Sequence, residues 1–117
     1  MSDTKIETVR STSSGVLGRA VSVARDNRLV LDSSSRPQPD ALTNSEAFLA
    51  GISSCGITLI EMYAKEKGVP VRHMEVVIEG ARTAADPARF SQVSMTFTIA
   101  GVTQAQAESL VETYRGR

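Results

Sequence analysis

The sequence predicts an α+β fold. Three observations carry that prediction: strands that come in groups joined by turn signals, two helices each opened by a capping box, and no strict alternation of strand with helix. The predicted order is three strands, a long helix, two strands and a second helix.

The first third reads as strands. Lys5-Ile6-Glu7-Thr8-Val9-Arg10 precedes a turn at Ser13-Ser14-Gly15, and Val16 to Ala24 follows with Val21 and Val23 on one face and Ser22 on the other. Asp26-Asn27 suits a tight hairpin turn, because both residues tolerate left-handed backbone, and Arg28 to Leu31 returns as the third strand. Ser33 to Asp40 is a surface loop, since neither Pro37 nor Pro39 can donate to a ladder.

Thr43-Asn44-Ser45-Glu46 has the form of a capping box, with Thr43 as N-cap. From there to Gly68, Phe48, Ile52, Cys55, Leu59 and Met62 recur at steps of four and three as one apolar stripe. Leu49, Ile60 and Tyr63 widen it, so the helix is expected to be buried over much of its circumference. Gly68-Val69-Pro70 ends it, and Lys65 and Lys67 complement its negative end. Val71 to Gly80 reads as a strand, and Ala84 to Pro87 falls in a loop. In the next strand Val93, Met95, Phe97 and Ile99 alternate inward against Ser94, Thr96 and Thr98. Gly101 breaks that strand; Thr103 and Gln106 form a second box, and Ala107, Leu110, Val111 and Tyr114 make a helical stripe.

The 117 residues are enough for one domain and one core. Thirteen basic and thirteen acidic side chains leave no net charge, which argues against a nucleic-acid or anionic-membrane partner. The N-terminus lacks a signal-peptide pattern, and no apolar stretch approaches the roughly eighteen residues of a membrane span, so a reducing cytoplasm is the expected compartment. No Cys/His spacing suggests a metal site, and no phosphate loop, dinucleotide fingerprint or Ser/His/Asp grouping occurs.

The single cysteine, Cys55, is the residue on which chemistry turns. It reads either as a small core hydrophobe or as a thiol whose thiolate is stabilised by a cation from elsewhere in the fold. Arg19, between Gly18 and Ala20, is the cation of interest, although a solvated strand arginine has the same pattern. Glu46 reads as the partner of Thr43; nine residues from Cys55, it lies about 180° away around a straight helix, so the two cannot meet on one face. His73, the sole histidine, starts a strand and is expected at a surface or edge. The first strands have little helix to cover them, which points to a core shared with a second subunit.

Taken together these residues resemble the OsmC/Ohr family of osmotically inducible proteins and organic hydroperoxide reductases. The carrying segments are Gly15 to Ser22, Asn44 to Ala50 running on to Ser53-Ser54-Cys55, and the strand and helix from Val93 to Tyr114. The resemblance spans nearly the whole chain and implies an OsmC-like domain over residues 1–117, forming an intertwined homodimer with two equivalent interfacial sites. It implies Cys55 as peroxidatic cysteine, Arg19 as the arginine that stabilises the thiolate and polarises the peroxide, and Glu46 as the glutamate that orients that arginine across the interface. No metal or bound cofactor is implied. The family's second cysteine falls just beyond the helix that here reaches Tyr114-Arg115-Gly116-Arg117. The expectation is therefore either a sequence shortened before that cysteine or a one-cysteine variant whose sulfenic acid needs an external thiol, the reductant in the family being of dihydrolipoyl type. Ser45, where the hydroperoxide-resistance branch commonly has Pro, and a spacing one residue shorter between Glu46 and Cys55 favour the OsmC-like branch. The alternative expectation is a non-catalytic dimer whose interfacial pocket, lined by Phe48, Ile52 and Met62, binds a small apolar ligand.

Overall fold

Six strands and two helices are present in a computed structural model that describes residues 4–115. They fall into two compact units, one ending at Phe48 and one beginning at Leu49.

In the first unit, β1 (Arg10–Ser13), β2 (Arg19–Ala24), β3 (Asn27–Asp32) and β4 (Leu42–Thr43) form one sheet in that order. β1 pairs antiparallel with β2, and β2 with β3, while β4 lies parallel to β3 with Asp32 opposite Thr43. The first strand is therefore Arg10–Ser13 and not Lys5–Arg10. The reason lies in the β1–β2 connection, where Gly15 and Gly18 both take positive φ and draw Val16 and Leu17 into the turn. The Ser14 hydroxyl closes that turn, accepting from the Val16 N–H at 3.0 Å and donating to the Arg19 carbonyl at 2.9 Å. The β2–β3 loop is Arg25-Asp26, one residue earlier than expected, with Arg25 at φ 55°. The sequence reading did not anticipate β4, whose two residues are too few to carry a periodic pattern. Val23, expected to share a face with the half-buried Val21, is exposed.

α1 (Asn44–Lys67) begins directly after β4. Its capping box is closed in both directions: the Thr43 N–H donates to Glu46 Oε1 at 2.9 Å, and the Glu46 N–H donates to Thr43 Oγ1 at 3.2 Å. At the other end Gly68 turns left-handed, the Gly68 N–H reaches Lys65 O and the Val69 N–H reaches Ala64 O, a complete Schellman closure.

In the second unit, β5 (His73–Ala81) and β6 (Gln92–Ala100) pair antiparallel along their whole length, and α2 (Gln104–Arg115) follows a Thr103/Gln106 box that is also closed both ways. β5 starts two residues later than expected, since Val71 instead bonds Val69 O in the turn after α1. The core is Ile60, Ala64, Met74 and Leu110, ringed by Ile57, Tyr63, Phe97, Ile99 and Tyr114. Phe97 and Tyr114 meet edge to face at 5.9 Å between centroids. Gly101, at φ 95°, lets the chain reverse into α2 where a Cβ would collide with the Pro70 carbonyl.

Only part of the expected apolar stripe of α1 is buried: Ile60 is in the core and Leu49, Ile52, Leu59 and Tyr63 are half-buried, but the rest faces outward. Gly56, Ile60 and Ala64 pack inward, whereas Cys55 is exposed and Phe48 and Met62 are 58% and 69% exposed. Five residues, about 140° of helix, separate Cys55 from Ile60, so one face cannot hold both. α1 is apolar on both sides, and by length and composition alone it is long and apolar enough to cross a membrane, contrary to the expectation that no such stretch exists. Val93, expected inward on β6, is exposed as well.

Candidate active site

Arg19 is fixed by the β2–β3 hairpin. The register places it directly opposite Asp32, so their side chains share one face of the sheet. Nε donates to Asp32 Oδ1 at 2.7 Å and Nη2 to Oδ2 at 3.0 Å, a bidentate pair in which the carboxylate is only 1% exposed. The loop from β3 to β4 brings a second carboxylate: Nη1 donates to Asp40 Oδ2 at 3.1 Å and Nη2 to Asp40 Oδ1 at 2.6 Å. Four of the five guanidinium N–H donors are thereby committed. The arrangement raises the Arg19 pKa above its ordinary value, first through the Asp32 hydrogen bonds and then through those of Asp40. In turn Arg19 holds the carboxyls of Asp32 and Asp40 below their usual range, by hydrogen bonding more than by charge alone, against a smaller opposing effect of burial. A cavity of about 400 Å³ beside the cluster is lined by Val16, Leu17, Arg19, Asp32, Arg36, Gln38 and Asp40.

Neither aspartate was found by reasoning from the sequence. Within the first unit Glu46, expected to orient Arg19, is engaged in its capping box, and the carboxylates that grip Arg19 are Asp32 and Asp40.

In the second unit Cys55 is a free, exposed thiol on the outward face of α1. The turn that carries it is held from behind. Gly56 lies so close to α2 and β6 that a Cβ there would sit 3.3 Å from Tyr114 Cζ and 3.4 Å from Met95 Cε, and the Tyr114 hydroxyl donates to Ile52 O at 3.4 Å. Ile52 is half-buried beside this contact, while Phe48 and Met62 face outward; the 600 Å³ cavity of this unit is lined instead by residues of β6 and α2, Phe97 and Val111 among them. His73 is exposed at the start of β5, as expected. Among the described residues no group of three His, Cys, Asp or Glu is placed to hold a metal ion.

Strand groups, two capped helices and a lone thiol on an apolar helix face define an α+β protein of thiol-bearing type. The profile of the OsmC family (OsmC-like protein) matches residues 37–117, and the chain belongs to that family. Its structure is similar to that of an OsmC-like protein from Mycoplasma pneumoniae, with a TM-score of 0.84 at 13% identity over 97% of this chain and 82% of that one. It is also similar to an organic hydroperoxide resistance protein OsmC from Legionella pneumophila (TM-score 0.73, 20% identity, 96% and 83% of the two chains). The organic hydroperoxide resistance protein OhrB of Bacillus subtilis matches with a TM-score of 0.64 at 15% identity, over 96% and 84%. At these identities the likeness concerns the fold. No curated protein sequence matches the chain.

Proposed function

We propose that this protein is a thiol-dependent peroxidase of the OsmC type that reduces organic hydroperoxides through Cys55. The observation that carries the reading is a solvent-reachable thiol, the only cysteine of the chain, on the apolar outward face of the central helix of an OsmC-family fold. An apolar surround suits the organic portion of a hydroperoxide, and family relatives described as hydroperoxide resistance proteins support that substrate class. In the reaction the Cys55 thiolate attacks the outer peroxide oxygen. The O–O bond breaks, sulfur is oxidised to the sulfenic acid, and the alkoxide leaves and takes a proton as the alcohol. A first equivalent of external thiol then condenses with the sulfenic acid and releases water; a second restores Cys55 and leaves as the disulfide. Arg19 is the cation that the family resemblance supplies for the thiolate and the departing oxygen.

A homodimer belongs to the same proposal. Phe48 and Met62 present exposed apolar surface on α1 that a second copy would cover, with Cys55 between them in an interfacial site still open to substrate, which also accounts for a long helix with only three buried residues. Glu46, which closes the capping box where α1 begins, stays a proposed contributor that orients Arg19 across the subunit interface. The expected compartment is one where a free thiol persists.

One observation favours the non-catalytic reading: the donors Arg19 would give to a thiolate are held by Asp32 and Asp40. The two readings part under cumene hydroperoxide followed by dimedone trapping and peptide mass spectrometry. A peroxidase gives a trapped sulfenic acid on Cys55, absent in Cys55→Ser and formed at least severalfold more slowly in Arg19→Ala. A Cys55 that reacts no faster than a small free thiol refutes the enzyme. Thermal stabilisation by a small apolar ligand that survives Cys55→Ser would then establish the alternative.

A further inference from the structure

We infer that Asp40 is a releasable latch on Arg19, and that Asp32 is the residue that positions it. The inference rests on the peroxidase reading for its consequence but on the first unit alone for its geometry. Asp32 and Asp40 grip the same guanidinium with two hydrogen bonds each, yet they differ in every respect that decides permanence. Asp32 lies on a strand, in register with Arg19, and is 1% exposed, so its side chain has no alternative partner in water. Asp40 lies in the Pro-containing loop that precedes β4 and is 69% exposed, so water can replace Arg19 at little cost. The carboxylates also repel each other across the shared arginine. Three charged groups thus leave one net negative charge, which release of Asp40 removes.

The count of donors gives the latch its consequence. With both aspartates engaged, one N–H of Arg19 remains. Holding a thiolate and a peroxide oxygen together takes at least two. When Asp40 swings away, three N–H groups become available while Asp32 still fixes the side chain through Nε and one N–H of Nη2. Asp40 therefore competes with the reactants for Arg19, and Asp32 does not. An ion pair with one exposed partner shifts such a competition by about two- to fivefold, and because Asp40 faces solvent the shift is screened by salt.

The test uses the full chain with Asp40→Asn, a surface substitution whose folding is checked by thermal denaturation. Two rates are measured at ~20 mM and ~500 mM salt, where the Debye length falls from above 20 Å to below 5 Å. One is phenylglyoxal modification of Arg19, read by peptide mass spectrometry, which needs no thiol chemistry. The other is dimedone-trapped sulfenic acid on Cys55 after cumene hydroperoxide. Asp40→Asn is expected to raise both rates about two- to fivefold at low salt. Salt should accelerate both in the wild type and much less in the variant, a response that a merely structural aspartate would not produce. An Arg19 modification rate unchanged by the substitution overturns the latch. So does faster Arg19 modification with Cys55 oxidised at the wild-type rate. Faster Arg19 modification with no sulfenic acid in either protein leaves the grip as described and overturns the peroxidase reading, and with it the consequence for catalysis.

Discussion

Met62 gives the sharpest measure of the exposed face of α1. It is 69% exposed in the protomer, and complete burial of a methionine side chain stabilises by about 1.5–3 kcal/mol. Covering what remains in water therefore contributes about 1–2 kcal/mol per copy. A two-fold dimer counts each residue twice, so Met62→Ala should weaken association by about 2–4 kcal/mol, a rise of about 30- to 700-fold in the dimer dissociation constant. The substitution separates assembly from folding. Alanine is the better helix former and Met62 is not in the core, so the protomer's own helix should be no weaker. Sedimentation equilibrium from nanomolar to high micromolar protein, with far-UV circular dichroism as the folding control, measures both. A wild-type chain that stays monomeric at high micromolar concentration, or a dissociation constant unchanged by Met62→Ala, refutes the assignment of this face to a second copy.

Other outcomes follow from the described geometry. Ile60→Ala removes the centre of a small core and should cost about 2–5 kcal/mol in urea denaturation, a large share of the stability of a domain this size. Thr43→Ala opens one capping box and should cost about 1 kcal/mol, whereas Glu46→Gln keeps an acceptor for the Thr43 N–H and should leave the urea midpoint nearly unchanged. If Glu46→Gln leaves stability intact but slows Cys55 oxidation, Glu46 acts in the reaction as well as in the cap. The acid arm of the stability curve should also depend on Arg19. Asp32 and Asp40 have carboxyl pKa values lowered in the fold, so their contribution is full above the ordinary carboxyl value of 3.8 and is lost as pH falls through the lowered values. Arg19→Met should flatten that arm, as measured by thermal denaturation between pH 2 and pH 5 (pH values approximate).

Local signals of known stereochemistry were legible in the sequence. Both capping boxes, the Gly68 stop, the α2 stripe and the family resemblance rest on residues whose side chains bond within four positions of themselves or repeat along one face. What was not legible depends on register. Placing the hairpin loop at Asp26-Asn27 sets Arg19 opposite Ser34; moving it one residue, to Arg25-Asp26, sets Arg19 opposite Asp32. That single step hid the buried partner of the candidate catalytic arginine. Asp40 was hidden for a different reason, because a loop residue reaches its partner through a path that no periodicity records. The inward and outward faces of α1 could not be told apart either, since a helix apolar on two sides gives two valid stripes and only the position of β5 and β6 selects between them.

That two-sided helix has a consequence for how the chain is made. α1 is complete at Lys67, but the strands that cover its inner face end only at Ala100, roughly 33 residues later. At about 5–20 residues per second of synthesis, the helix waits on the order of 2–7 seconds before its inner face can be covered. During that interval it has the length and composition of a membrane segment without the strands that later cover its inner face. Gly51, Ser53, Ser54 and Thr58 are spread through its middle, and the Ser53 and Thr58 hydroxyls bond back to the helix's own carbonyls. These residues dilute its apolar character during the seconds when the growing chain is most exposed to capture by a bilayer or by another nascent helix.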